Sequence, residues 1–343
     1  MYMEVLDGGF LTTVQDLGRM GWQRYGVAVS GVMDAQTATV ANLLVGNDRN
    51  AAVLEATLRG PRLRFHDETL VAVCGVGIDA TVDGMAVEGW RPCLVAAGRT
   101  LEVRSSARGC RVYIAVGGGV LADRVLGSQS TYLYGRFGGF HGRAVQKGDV
   151  LQLGAPTGET QERMRRLRRQ EAFFAVEPRW AAGHSVRPRF APEGSVRFLP
   201  GPDLSRLSPD AQETLFAATY RVSPSSNRMG LRLEGPVLQV RDVTEPVSKP
   251  VTRGTVQLLN DGQLVVLMAD HQTTGGYPNL GQVFLVDLPQ LAQAKPGDRL
   301  RFTAGSLAEA HRALRERTEG LRVLEVALRL MDAYGWRESR ASV

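Results

Sequence analysis

The chain has 343 residues, of which 43% are apolar and 22% charged, and a formal net charge of +6; at roughly one domain per 150 residues this length suggests two packed cores. No apolar run approaches the roughly 20 residues of a membrane span, and Met1 to Phe10 lacks the basic-then-apolar pattern of a secretory leader, so a soluble cytoplasmic protein is expected. The surplus positive charge is gathered at Arg163, Arg165, Arg166, Arg168 and Arg169, without interleaved aromatics, which argues against a nucleic-acid partner.

From Met3 to Phe65 short apolar runs alternate with glycine-rich turns. The stretch Thr12-Thr13-Val14-Gln15-Asp16-Leu17-Gly18-Arg19 is dense in polar groups and reads either as a functional loop or as a turn in which Asp16 and the threonines bond backbone amides. A helix is expected from about Ala35 to Leu44, ended by Gly46-Asn47, with Asn42 bonding a neighbouring loop from inside it. Between Val53 and Leu153 come strands at Val53 to Thr57, Arg62 to Phe65, Leu70 to Cys74, Ile78 to Val82, Leu94 to Ala96, Leu101 to Val103 and Arg111 to Val116. Short strands without crossover helices predict an antiparallel barrel or sandwich. Cys74, Cys93 and Cys110 lack metal or disulfide spacing and read as small core residues. Gly117-Gly118-Gly119 and Gly138-Gly139 could cradle a phosphate, yet match neither nucleotide fingerprint, and Leu126-Gly127-Ser128-Gln129-Ser130-Thr131 reads as a second hydroxyl-rich turn.

The first half closes on Gln146-Lys147-Gly148-Asp149-Val150-Leu151 and the second on Lys295-Pro296-Gly297-Asp298-Arg299-Leu300, an echo that hints at two related β units. The expected division is a first unit over 1–155, a basic linker over 156–190 with an exposed helix from Glu162 to Ala172, a second unit over 191–305 and a helical tail over 306–343. In the second half Ser208 should cap a helix from Pro209 to Ala218, and Ser306 with Glu309 should box a helix to about Arg317, before a second helix with an apolar stripe at Leu321, Leu324, Leu328 and Met331. Two polar knots stand out. Ser223-Pro224-Ser225-Ser226-Asn227-Arg228-Met229-Gly230 sets a guanidinium among hydroxyls and amides, for binding an anion or clamping backbone carbonyls. Ala269-Asp270-His271-Gln272-Thr273-Thr274-Gly275-Gly276-Tyr277-Pro278 follows the apolar strand Leu264 to Met268 and crowds a carboxylate, an imidazole, an amide, two hydroxyls and a phenol at one strand end.

The spellings TTVQDLGR, SGVMD, ANLLVGN, LGSQST, SSNRMG and ADHQTTGGYP, followed by LAQAKPGDRLRF, resemble the biotin-dependent carboxyltransferase / allophanate hydrolase subunit 2 family, which includes the C subunit of bacterial ATP-dependent 5-oxoprolinase. The resemblance implies a mainly β fold of tandem cyclophilin-like β-barrel units with a few short helices and a C-terminal helical tail. It also implies partners in the A and B subunits of that enzyme, and ATP with Mg2+ used in the complex to open 5-oxo-L-proline to L-glutamate, an ATP-dependent amidohydrolase activity with no bound prosthetic group. By motif position it assigns Arg228, Asp270 and Gln272 to catalysis: Arg228 at a carboxylate or phosphate, Asp270 on a nucleophile or proton, and Gln272 as a donor. Thr273 and Thr274 would be further donors and Tyr277 a pocket wall, while Asn227, Thr13, Gln15, Asp16 and Arg19 complete the binding set. No metal ligand is expected from the chain. Biotin enters only under the alternative of a carboxyltransferase acting on urea or a similar amide, and a further alternative is a regulatory partner subunit without turnover.

Overall fold

The structure, a computed structural model, describes residues 1–104, 108–168, 174–241 and 247–335. Arg169 and the last residues of the helix expected to reach Ala172 lie outside them. The chain forms two compact units, one of residues 1–17, 35–188 and 318–343, the other of residues 18–34 and 189–317. The expected division was contiguous along the chain; these units instead assign 18–34 to the second and part the C-terminal helix between them.

In the first unit two six-stranded sheets enclose one core. One sheet runs from edge to edge through Val150–Gln152, Tyr2–Asp7, Arg62–Phe65, Thr100–Val103, Ala80–Val82 and Met85–Val87; the other through Ala175–Val176, Pro92–Val95, Thr69–Gly75, Arg111–Val116, Val53–Thr57 and Leu11–Gln15. Every pairing is antiparallel, as short strands joined by tight turns require. Met3, Val5, Leu63 and Leu101 from one sheet meet Leu54, Val71, Val73 and Ile114 from the other. Helix α1 (Ala35–Val45) is buried through most of its length. Asn42 inside it donates from Nδ2 to Ala51 O at 2.8 Å and accepts at Oδ1 from Asn47, whose own Nδ2 reaches Val116 O at 2.8 Å. The three cysteines are buried, and burial pushes the Cys93 thiol well above its ordinary pKa.

The basic segment departs from expectation. Helix α2 (Gly158–Leu167), capped by Thr157 Oγ1, is no exposed linker. Arg163 is 1% exposed, grips Asp332 through Nε (3.1 Å) and Nη2 (2.7 Å), and donates from Nη1 to Leu43 O. Arg166 donates to Asp332 O at 2.6 Å. A buried guanidinium requires a carboxylate partner, so Arg163 and Arg166 serve the C-terminal helix, while Arg165 and Arg168 are more than half exposed and pair with Glu162 and Glu68.

The second unit is a closed barrel of seven strands: β1 (Glu193–Pro200), β2 (Tyr220–Val222), β3 (Gly230–Glu234), β4 (Thr255–Leu258), β5 (Leu264–Leu267), β6 (Asn279–Val283) and β7 (Arg299–Ala304), in the spatial order β1-β6-β4-β5-β3-β2-β7. Closure comes from the parallel pairing of β1 with β7. Alternation decides which side chains fill it. Leu231, Leu233, Val256, Leu258, Leu264 and Val266 point inward with Phe198, Tyr220 and Phe302, so the intervening residues face outward. Helix α3 (Pro209–Ala217) is capped by Ser208 as expected, and α4 (Leu288–Gln293) is short and largely buried. The expected mainly β chain is borne out, with full barrel closure in this unit and paired sheets in the first.

The two sequence echoes are one device used twice. Gly148 and Gly297 adopt φ of +91° and +94°. In each turn the following aspartate accepts at Oδ2 from the backbone N–H three residues back, Gln146 at 2.7 Å and Lys295 at 3.0 Å, ahead of a strand. The Ser306–Glu309 capping box also forms, but the helix it starts, α5 (Leu307–Tyr334), runs 28 residues without the break expected near Arg317. Gly320 inside it weakens a helix by only about 1 kcal/mol, too little to end one otherwise rich in helix formers. Leu328 is its one buried residue, with Leu321, Leu324 and Met331 half-buried along the same stripe.

Candidate functional site

The two polar knots of the second half converge. An open cleft of about 230 Å³ lies on the outer face of the barrel wall, over β3, β5 and β4. Its floor is the outward set left by alternation: Gly230 and Arg232 from β3, Val265 and Leu267 from β5, Gln257 from β4 and Leu259 just past it. Register places Val265 directly opposite both Arg232 and Gln257. Ser225, Asn227 and Met229 wall one side, and Gln272 and Tyr277 the other. The second wall is held by a two-stranded ribbon in which Thr274 and Gly275 pair with Pro250 and Lys249, and by Val251 N–H donating to Thr273 O at 3.0 Å. Asn227 Oδ1 accepts from Met229 N–H at 2.8 Å, a turn that leaves its Nδ2 with no partner among the described residues.

Arg228 and Asp270 come together beside this cleft, but on each other. The guanidinium donates to the carboxylate from Nε at 2.8 Å and Nη2 at 3.0 Å, and from Nη2 to Gly31 O at 2.6 Å. Ser30, in the left-handed region at φ +58°, donates from Oγ to Asp270 Oδ1 at 2.7 Å. Both charges are buried, and Arg253 adds bonds to Val32 O and Met33 O. This network explains the SGVMD spelling: it fastens the 18–34 segment into the second unit by its carbonyls. Arg228 and Asp270 thus form a clamp at the root of the cleft walls, and neither lines the cleft.

His271, next to that clamp, is buried, and its Nδ1–H donates to Gln272 O at 2.5 Å. Burial holds the imidazole below its ordinary 6.5, with the nearby Arg253 charge acting in the same sense. Below pH 6.5 the unfolded chain therefore binds the proton more readily than the folded one, so this residue's contribution is present above 6.5 and is lost as pH falls. Urea unfolding between pH 8 and 5 should show stability declining on the acid side, and His271→Gln should flatten that slope.

The first-unit residues bond largely within their own unit, although Thr12 Oγ1 and Gln15 Oε1 are buried without a hydrogen-bond partner among the described residues. The Asp16 carboxylate accepts from Ser128 Oγ (2.6 Å), Ser130 Oγ (2.5 Å) and Gln129 N–H (2.6 Å). Gln15 Nε2 donates to Thr13 Oγ1 and Thr131 O at 3.0 and 3.1 Å. TTVQD and LGSQST are thus two halves of one loop tie. Arg19 is buried in the second unit, its backbone N–H donating to Val29 O at 2.8 Å. The glycine runs are close-approach sites: a Cβ on Gly118 would stand 2.2 Å from Gly154 O, and one on Gly139 1.9 Å from Thr131 Oγ1. Among the described residues there is no group of three or more His, Cys, Asp or Glu that could hold a metal ion.

Gln257 was missed as a site residue. The sequence carried a faint signal, an amide alternating with the core residues Val256 and Leu258, but only the loops folded over β4 turn an outward glutamine into a buried one.

A carboxyltransferase domain model, subdomains A and B, matches residues 25–304. The chain is 35% identical to the 5-oxoprolinase C subunit of Escherichia coli over 91% of its own length and 94% of that protein's, and 32% identical to its Haemophilus influenzae counterpart over 92% and 94%. Among solved structures, the urea amidolyase of K. lactis superposes with a TM-score of 0.85 at 29% identity over 94% of this chain, which spans 20% of that longer one. No helix among the described residues is long and apolar enough to cross a membrane. A barrel carrying the SSNRMG and ADHQTTGGYP loops over one wall, together with these matches, places the chain in the carboxyltransferase-domain family that contains the C subunit of 5-oxoprolinase.

Proposed function

We propose that the chain is the C-type subunit of a 5-oxoprolinase, acting with the A and B subunits in the cytoplasm to open 5-oxo-L-proline to L-glutamate with ATP hydrolysis. The observation that carries this reading is the chemistry of the cleft. Its polar groups are three side-chain amides (Asn227, Gln257, Gln272), a serine hydroxyl, a phenol and one rim arginine, over a floor of Val265, Leu267 and Leu259. Such a lining suits a small cyclic amide with a single carboxylate, for which Arg232 is the rim cation, better than a triphosphate, which calls for clustered cations and a metal. ATP and Mg2+ are accordingly assigned to the other subunits, and the cyclic amide to this one. The match along 94% of the E. coli protein supports the same choice.

In this reading Gln272 and Asn227 turn amide N–H groups toward the lactam and Tyr277 closes one side. Thr273 and Thr274 hold the loop through the ribbon, and Arg228 with Asp270 position both walls. Thr13, Gln15, Asp16 and Arg19 act as framework. The likeness to urea amidolyase favours one alternative, carboxyl transfer from biotin on a separate carrier to a urea-type amide. One assay separates them. The complex reconstituted with the A and B subunits should release glutamate from 5-oxo-L-proline only when ATP is present. ATP- and bicarbonate-dependent consumption of urea with a biotinylated carrier, and no glutamate, would overturn the proposal in favour of the alternative.

A further inference from the structure

Gln257 is 1% exposed, and neither Oε1 nor Nε2 of its amide has a hydrogen-bond partner among the described residues. Of the buried side chains whose polar atoms lack a partner among the described residues, Gln257 is the one in the lining of the cleft, and an amide buried with both ends unpaired is costly unless a ligand satisfies it. The residue sits in the cleft floor between apolar neighbours, in the middle of a strand paired on both sides, so its backbone is fixed. Gly275 lies over it: a Cβ there would stand 2.6 Å from Nε2, so the second glycine-bearing wall has room for the amide only because position 275 lacks a side chain.

We propose that Gln257 is the substrate-reading residue of this cleft, pairing edge to edge with an amide whose N–H and C=O are locked on the same side. A five-membered lactam has that cis arrangement, and an open-chain secondary amide, which is trans, does not. With the Gly275 ribbon lifted off the amide, Gln257 Oε1 accepts the lactam N–H while Nε2 donates to the lactam oxygen, so both atoms are satisfied by one ligand. The pairing polarises the carbonyl that must be attacked. Arg232, on the rim and held among the described residues by an exposed pair with Asp261 at 2.9 Å, is the cation available to a carboxylate on the same ring. This inference rests on the reading of the chain as a component of 5-oxoprolinase and names the group that selects the substrate.

The test is steady-state kinetics of the reconstituted complex with Gln257→Met and, separately, Gly275→Ala, which crowds the amide without removing it. Each variant should raise the KM for 5-oxo-L-proline about tenfold or more, the loss of two hydrogen bonds at about 1 kcal/mol each, with the KM for ATP unchanged. Gln257→Met should in addition melt no lower than the wild-type chain in the absence of substrate, because it removes an unpaired buried amide; a framework glutamine would give a lower melting temperature. A wild-type complex that turns over 5-oxo-L-proline while both variants keep its KM would overturn this inference alone. A wild-type complex with no such turnover overturns the functional reading and this inference with it.

Discussion

Arg228→Ala or Asp270→Ala should destabilise the second unit by about 3 to 5 kcal/mol, the cost of leaving one member of a buried ion pair without the other. The pair is bidentate, both side chains are buried, and each also holds the 18–34 segment, Arg228 through Gly31 O and Asp270 through Ser30 Oγ. Urea unfolding followed by hydrogen exchange at barrel amides would measure the loss. The double variant Arg228→Met with Asp270→Leu should cost clearly less than the sum of the two single changes, since neither charge is then stranded. Ser30→Ala, which removes one hydrogen bond to a charged acceptor, should cost about 1.5 to 3 kcal/mol. If Asp270→Ala abolished turnover while leaving stability and barrel exchange untouched, the carboxylate would belong to the chemistry and not to the clamp.

In the first unit, Arg163→Ala should cost a comparable amount, about 3 to 5 kcal/mol. Its guanidinium satisfies the Leu43 carbonyl at the end of α1 and both oxygens of Asp332, at 1% exposure. Asp332→Asn keeps the shape and removes the charge, so it should recover part of what Asp332→Ala loses. Hydrogen exchange would localise the effect: amides of α5 from Thr318 to Tyr334 should lose protection first, because Leu328 is the helix's one buried apolar contact there. Arg165, whose partner Glu162 lies on the same helix and whose side chain is 57% exposed, should give a change within about 0.5 kcal/mol when replaced by alanine.

These contrasts show where the sequence was readable. The strands Val53–Thr57, Arg62–Phe65 and Arg111–Val116 end where alternation and turn residues end them, and the Ser208 and Ser306 caps form because capping depends on residues within one turn. The meeting of the SSNRMG and ADHQTTGGYP loops was foreshadowed by motif alone, but the use of their charges was not. Arg228 in a polar loop looks the same whether its guanidinium meets a ligand or a carboxylate 42 positions on. Asp16 is illegible for the same reason, its three donors lying more than 110 residues away. Burial of Arg163 depends on a helix whose partner residue lies 169 positions later. Gln257 is the sharpest case: no strand was expected over it, and its lack of a hydrogen-bond partner among the described residues is a property of the folded wall.

The central claim, that the amide-lined cleft on the barrel wall receives the cyclic amide, is tested most directly by titrating the full chain with 5-oxo-L-proline and following the side-chain amide resonances of Asn227, Gln257 and Gln272. All three should shift along one saturable curve, with the Gln257 pair moving furthest, while the Gln15 and Gln129 amides in the first unit stay still. Movement confined to Gln15 and Gln129, or no saturable shift at Gln257, would contradict it.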